Sequence, residues 1–99
     1  MQILLVCAGG YSTSILMNKV TKYAADNNLD VSIEAQGAST DELNADKFDV
    51  ILVAPQIRYK KDEIAKKTGK PVVVIPPMDY GNGKPQKIIE LAESGLKGE

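Results

Sequence analysis

The chain has 99 residues, a formal net charge of -1 at pH 7 and a hydrophobic content of 43%. This length and composition predict one ordinary globular domain over residues 1–99, and they exclude a disordered, collagen-like or coiled-coil protein. The nearly balanced charge argues against a nucleic-acid-binding surface, which usually shows as clustered lysine and arginine.

Several residue types are absent or occur once. The chain contains no histidine and one cysteine, and Arg58 is its single arginine. We therefore expect no internal disulfide, no metal and no other cofactor, and a Ser–His or Cys–His catalytic pair is excluded. The apolar run Ile3–Val6 is far too short for a signal peptide or a membrane span. We accordingly expect a cytoplasmic protein that does not insert into the membrane.

The first half of the chain alternates short apolar runs with helical patterns. Gln2–Val6 is nearly all apolar, which predicts a strand buried on both faces. Val31–Ala35 alternates apolar and polar residues, as an edge strand does. Residues 37–46 form a polar connection, in which Ser39 and Glu42 fit a capping box. A helix between the two strands, ending near Asn27-Asn28, is predicted by apolar residues at helical spacing, namely Ile15, Leu16, Val20, Tyr23 and Ala24.

The second half repeats this alternation. Val50–Val53 predicts a second fully apolar strand, followed by a turn at Ala54–Gln56 and a helix that ends near Thr68. Val72–Ile75 predicts a third apolar strand, and residues 76–83 read as a loop. Pro85 suits the first turn of a last helix. The apolar face of that helix is predicted to carry Ile88, Ile89, Ala92 and Leu96.

These elements predict an α/β fold with a four-stranded parallel sheet of order 2-1-3-4 and helices on both faces, in three layers. In such sheets, ligands bind at the carboxyl ends of the strands, where the strand order reverses. We expect Cys7 and the turn at Pro55-Gln56 at that edge of the sheet. The loop with Asp79 and Tyr80 should lie nearby.

The segment that follows the first strand reads Cys7-Ala8-Gly9-Gly10-Tyr11-Ser12-Thr13-Ser14. Glycines let backbone N–H groups converge, hydroxyl side chains cap a helix, and the helix N-terminus adds unpaired donors. Residues 8–14, called here the anion-binding loop, are thus suited to an anion of phosphate size. The same donors favour a thiolate at Cys7, which can attack phosphorus. Alternatively, Cys7 is a small buried hydrophobe, with packing glycines and ordinary caps beside it.

Other phosphate-binding and phosphatase patterns fit less well. A Walker A lysine and the spacing G-x-G-x-x-G are both absent. Low-molecular-weight tyrosine phosphatases place an arginine six positions after the cysteine, where this chain has Thr13. Arg58 would have to come from another loop, and Asp79 beside Tyr80 is equally well a polar turn. A cysteine phosphatase and a non-catalytic binding module therefore stay open as alternatives to a phosphoryl carrier.

The stretch LLVCAGGYSTSILMNKV resembles the phosphorylation loop of the enzyme IIB components of the bacterial phosphoenolpyruvate-dependent sugar phosphotransferase system (PTS). The branch that it resembles is the lactose/cellobiose class, which includes oligo-β-glucoside and chitobiose transporters. The similarity continues through VILVAPQIRY and PVVVIPPMDYG, and so covers nearly the whole chain. One departure is Tyr11, which stands where the family pattern has methionine. The resemblance also implies a fold like that of low-molecular-weight tyrosine phosphatases.

The resemblance implies a protein-phosphohistidine–sugar phosphotransferase. In that reaction Cys7 takes a phosphoryl group from a phosphohistidine of enzyme IIA. It then passes the group to a sugar, cellobiose or a related β-linked disaccharide, that is bound in the membrane enzyme IIC. The missing histidine fits, because the imidazole belongs to the donor. The missing arginine fits a carrier that must not hydrolyse its phosphoryl group.

We expect a monomer, because such a carrier docks two partners in turn. The resemblance implies that it meets the inner face of the membrane only transiently, through enzyme IIC. Partner or loop contacts are expected from Pro55, Gln56 and Tyr80. The residues expected to bind the phosphoryl group are Ala8, Gly9, Gly10, Tyr11, Ser12, Thr13 and Ser14.

Overall fold

The computed structural model describes residues 1–7, 11–37 and 43–97. The predicted capping box at Ser39 and Glu42 lies outside these residues. A 3₁₀ helix, Pro55–Lys60, stands where the sequence predicted a turn. The strands are β1 (Gln2–Cys7), β2 (Ser32–Gly37), β3 (Val50–Val53) and β4 (Val72–Val74). The α-helices are α1 (Tyr11–Asp26), α2 (Lys61–Thr68), α3 (Pro77–Asn82) and α4 (Pro85–Leu96).

The strands form one four-stranded sheet in the order β2-β1-β3-β4, and every pairing is parallel. β1 is central, so that Leu5 pairs with Ala35 on one side and with Leu52 on the other. Residues 3–6 and 50–53 are fully buried, as expected for parallel strands covered on both faces. The predicted strand order and the edge position of the second strand are confirmed.

Alternation along β1 divides the apolar side chains between two cores. Ile3 and Leu5 face the first core, which α1 and α4 cover. Leu4 and Val6 face the second core, which is covered by residues 43–48, the 3₁₀ helix and α2. Helices therefore pack on both faces of the sheet, and the predicted three-layer arrangement is confirmed.

Helix α1 packs its apolar residues at helical spacing against the first core, with one exception. Leu16, Val20 and Ala24 are buried in the first core, whereas Ile15 is 57% exposed. Ile15 is exposed although the adjacent Leu16 is buried, because at about 3.6 residues per turn it lies on the opposite side of the helix from Ala24. The predicted end of the helix is confirmed, since Asn28 follows it with a left-handed φ of 55°.

The prediction of a loop over residues 76–83 was wrong. Residues 77–82 form α3, which has a proline in its first turn. Gly83 follows with a φ of 61°, and its N–H donates to the carbonyl of Asp79 at 3.0 Å. Proline inside the start and glycine just past the end are the usual boundaries of a helix. In this chain the proline and the glycine lie so close together that the sequence pattern is that of a turn.

The predicted apolar face of α4 is buried except at its last residue. Ile88, Ile89 and Ala92 are buried, but Leu96 is 45% exposed. The buried position in the last turn is Gly95. A Cβ at Gly95 would lie 2.7 Å from Cγ2 of Val73 and 3.0 Å from Cγ2 of Val50. The helix can approach the sheet this closely because residue 95 has no side chain.

Within the described ranges, no helix combines the length and the apolar character that crossing a bilayer requires.

The substitution Gly95→Ala should destabilise the fold. The new methyl group would meet two β-branched side chains that are stiff and held in the sheet. Overpacking of this kind costs about 1–3 kcal/mol in the free energy of unfolding. Urea denaturation measures the effect, and Ser94→Ala, on the half-buried neighbouring position, is the matched control. A Gly95→Ala protein as stable as the control would contradict the close approach of α4.

Candidate active site

Cys7 is the last residue of β1, and its side chain is 5% exposed. Strict alternation would place it in the first core with Ile3 and Leu5. It packs instead in the second core, with Val6 and Ala54 among its members. The strand ends at this residue, so its side chain is not bound to the alternation of the ladder. The sulfur therefore lies at the carboxyl edge of the sheet, as predicted.

Helix α1 begins at Tyr11, shortly after Cys7. The first N–H groups of a helix lack partners within it and carry a partial positive charge. Ser14, in this first turn, is exposed. Ala8, Gly9 and Gly10 lie outside the described residues, as do the side chains of Tyr11, Ser12 and Thr13. The anion-binding loop therefore stays a prediction. The structure describes the end of β1 before the loop and the start of α1 within it.

The end of β3 lies beside the end of β1. The N–H of Ala54 donates to the carbonyl of Val6 at 3.0 Å, one residue before Cys7. Pro55 is buried at the start of the 3₁₀ helix, and Gln56 is exposed. The structure brings Pro55 to the predicted edge and leaves the Gln56 side chain at the surface next to it.

Tyr80 lies in α3, which follows the end of β4. Its half-buried side chain packs against both cores. A residue that meets both faces of a sheet must lie across its edge, so the structure brings Tyr80 to the edge that holds Cys7. It also lines a small cavity of about 160 Å³ between α1 and α3, together with Ile15, Leu16, Lys19, Gly81 and Gly83.

Gln36 also lies at the site, although no sequence pattern indicates it. The Cys7 thiol donates a long, weak hydrogen bond to the carbonyl of Gln36, with 3.9 Å between sulfur and oxygen. In the register of β1 and β2, Cys7 lies opposite Gly37, the next residue. A backbone carbonyl leaves no mark in a sequence, so only the register could have revealed this contact.

The reactive group that the described residues bring to this edge is the sulfur of Cys7. Among the residues that the structure describes, no group of three or more cysteine and carboxylate side chains could hold a metal ion. Arg58 is exposed in the 3₁₀ helix, and within the same residues no hydrogen bond or ion pair joins it to Cys7. Asp79 is half-buried in the first turn of α3.

The substitution Gly83→Ala should loosen α3 and with it Tyr80. Gly83 has a φ of 61°, and a Cβ there would lie 3.3 Å from Nζ of Lys19. Alanine at such a φ destabilises a protein by more than about 1 kcal/mol. Urea denaturation measures this loss. Gly81→Ala is the control, because a Cβ at Gly81 meets nothing within 4 Å. Equal stabilities of the two variants would contradict the role of Gly83.

A family model of known sequences matches the chain. Residues 2–91 match "PTS system, Lactose/Cellobiose specific IIB subunit". The cellobiose-specific EIIB component of Lactococcus lactis subsp. lactis (strain IL1403) is 42% identical over 100 aligned residues, which cover 93% of each chain. The galactose-specific EIIB component of Lactococcus lactis subsp. cremoris (strain MG1363) is 41% identical over 100 residues, with the same coverage.

A solved structure agrees with this match. The solution structure of a cellobiose-specific phosphotransferase IIB component from Borrelia burgdorferi superposes with a TM-score of 0.79 at 40% identity. The alignment covers 99% of this chain and 93% of that one. The fold is therefore the one expected, which resembles that of low-molecular-weight phosphatases. The chain belongs to the lactose/cellobiose-specific IIB subunits of the sugar phosphotransferase system.

Proposed function

We propose that Cys7 carries the phosphoryl group, which it takes from the phosphohistidine of an enzyme IIA and gives to a sugar held by the membrane enzyme IIC. IIB subunits are sugar phosphotransferases and work with IIA and IIC components. The observation that carries the proposal is the place of the sulfur. Cys7 is the last residue of the central strand, β1. It lies where the strand order of the sheet reverses, shortly before the N-terminus of α1.

The chemistry consists of two displacements at phosphorus. In the first, the deprotonated Cys7 sulfur attacks, an S–P bond forms, and the P–N bond to the donor imidazole breaks. In the second, a sugar hydroxyl oxygen attacks, the S–P bond breaks, and the hydroxyl proton is released. Both steps place negative charge on the phosphoryl oxygens, which is where helix N-terminal donors stabilise it.

We assign the binding of these oxygens to the anion-binding loop, from Ala8 to Ser14. Backbone N–H groups suit a carrier, because they hold the anion from one side and leave the phosphorus open for in-line transfer. The start of α1 at Tyr11 supports this assignment, since it aims a helix N-terminus at the strand end. Pro55 and Tyr80 are assigned to the wall of the site, and Gln56 to the surface that a partner touches.

The alternative of a cysteine phosphatase is not favoured. A phosphatase of this shape needs an arginine that clamps the phosphoryl oxygens, and position 13 is threonine. The single arginine, Arg58, is exposed on the 3₁₀ helix. The similar proteins are PTS components rather than phosphatases.

Exposed apolar side chains support docking of protein partners at this edge. Ile15, Tyr59 and Met78 are 57%, 76% and 75% exposed, and we call them the apolar rim. They lie on the elements that follow the carboxyl ends of β1, β3 and β4. The structure describes two other exposed large hydrophobic residues: Leu29 follows the far end of α1, and Leu96 is the last residue of α4. Exposed apolar groups around a reactive atom are typical of an interaction site.

We further propose cellobiose or a related β-linked disaccharide as the sugar. The cellobiose-specific relative and the cellobiose-specific structure support this choice, although a galactose-specific relative is almost equally similar. The whole chain, residues 1–99, is proposed to act as a single carrier domain and as a monomer. It is proposed to be cytoplasmic, and to meet the inner face of the membrane only through enzyme IIC.

Cys7→Ser should abolish phosphorylation, because the oxygen of serine is a far weaker nucleophile than a thiolate. Wild-type protein is incubated with phosphoenolpyruvate, the general PTS carriers and a IIA of a cellobiose system. Intact-protein mass spectrometry should then show one added phosphoryl group, located on Cys7. Equal labelling of the Cys7→Ser protein would show that the phosphoryl group resides elsewhere.

A parallel assay separates the carrier from the phosphatase. The isolated wild-type protein is mixed with an aryl phosphate, and release of the phenol is followed. A carrier without a clamping arginine should give no turnover above the Cys7→Ser background. Cys7-dependent turnover of many equivalents would support the phosphatase instead.

Replacing apolar rim residues should weaken docking of enzyme IIA. Ile15→Ser and Met78→Ser remove exposed apolar area without touching the core, so we expect each to raise the KM for phosphorylated IIA about three- to tenfold. Stability should change by less than about 0.5 kcal/mol. Leu29→Ser, an equivalent change at the opposite edge, is the control. A rim variant with the KM of the control would place the docking surface elsewhere.

A further inference from the structure

The side chain of Gln36 ties β2 to the segment 43–48, which covers the second core. Its amide N–H donates to the carbonyl of Asn44 at 2.9 Å, and its amide oxygen accepts from the N–H of Asn44 at 3.1 Å. A carboxamide has the donor and the acceptor that a peptide group has, so it pairs with both backbone groups of one residue. We call this pair of bonds the Gln36–Asn44 clamp.

The clamp lies over the core that contains Cys7. Ile33 and Ala35 of β2 belong to the first core, so the intervening Glu34 and Gln36 project to the opposite side of the sheet. There the residues on either side of Asn44, Leu43 and Ala45, are buried in the second core with Cys7. The clamp therefore holds two apolar side chains of the cluster in which the sulfur packs.

The backbone of the same residue meets the sulfur itself. The carbonyl of Gln36 accepts the hydrogen bond of the Cys7 thiol at 3.9 Å. Gln36 thus holds the segment at Asn44 with its side chain and faces the reacting atom with its main chain. β2 is an edge strand, with a neighbour in the sheet on one side only. The clamp is a second anchor, on the face of β2 that carries the second core, and it restricts movement of the carboxyl end of the strand.

We propose that Gln36 is a positioning residue for phosphoryl transfer, which fixes the Cys7 sulfur through the end of β2. The inference rests on the proposed function of Cys7. In-line displacement needs the sulfur, the phosphorus and the leaving nitrogen in one line, and a misplacement of about 1 Å can cost up to about a hundredfold in rate. Without the clamp, the end of β2 and the segment that holds Leu43 and Ala45 are free to move. Because these two side chains pack in one core with Cys7, the sulfur is then held less tightly, whether it is a thiol or a thiolate. It spends less time on the line of attack and is more accessible to small molecules.

The test is Gln36→Met, which keeps the length of the side chain and removes both bonds of the clamp. Its kcat for phosphorylation by phosphorylated IIA should fall about tenfold, and its KM for that partner should stay unchanged. Alkylation of Cys7 by iodoacetamide should become several-fold faster in the same variant. A faster small-molecule reaction together with a slower transfer is the signature of lost positioning rather than of a lost nucleophile.

Lys47→Met is the matched control. It breaks the ion pair between Nζ of Lys47 and Glu34 at 2.8 Å, which also joins β2 to the segment 43–48. It leaves the clamp and the carbonyl of Gln36 in place, so kcat and the alkylation rate should stay near the wild-type values. Urea denaturation of both variants shows whether they lose similar stability.

The outcomes separate this inference from the proposed function. If wild-type Cys7 is phosphorylated and Gln36→Met has the kcat of Lys47→Met, the positioning role is wrong. A rise in KM at unchanged kcat would also overturn it, since Gln36 would then act in docking. If the wild-type protein is not phosphorylated at all, the proposed function fails and the alkylation rates decide. Equal rates in the two variants would reject the positioning of the sulfur by Gln36.

Discussion

The parallel pairing of β1 with β2 on one side and β3 on the other is the interaction on which the site depends. It fixes where the central strand ends, and therefore where the sulfur of Cys7 lies. The registers then set its neighbours, because they bring Gly37 opposite Cys7 and join Ala54 to the carbonyl of Val6. A reacting atom at the end of a strand with two partners is held from both sides, which suits a group that must meet incoming phosphorus in line.

The burial of the inner strands on both faces of the sheet explains how much of the fold could be predicted. A parallel strand covered on both faces must be continuously apolar, so β1 and β3 stand out in the sequence. The 2-1-3-4 order is the simplest arrangement of these elements with right-handed crossovers and helices on both faces. Apolar residues at helical spacing do not all face the core: Ile15 is exposed beside the buried Leu16, because it lies on the opposite side of α1 from Ala24. In α4, Gly95 allows such a close approach that it holds the buried position expected for Leu96.

Only the part of the site that depends on the topology of the sheet could be predicted. Cys7, Pro55 and Tyr80 follow strand ends, and topology brings strand ends together, so the sequence places them at one edge. Gln36 contacts Cys7 through its carbonyl, and its side chain bonds the backbone eight residues later. Neither a carbonyl nor a contact of that kind has a pattern of residue types. The exposure of Ile15 was likewise not predicted, because its helical spacing is the same as that of its buried neighbours.

The function proposed for Cys7 imposes two opposed demands. Two proteins in turn would have to reach its sulfur, and the phosphoryl group that it carries would have to be kept from water. The structure meets the second demand by recessing Cys7 within an apolar core, at 5% exposure, without an arginine clamp beside it among the residues described. The docking role proposed for the apolar rim serves both demands, because it gives a partner a surface to bind, and a partner that covers Ile15 and Met78 also excludes water from the edge. Transfer is then confined to the docked complex, where the sulfur, the phosphorus and the partner's atom share a dry site.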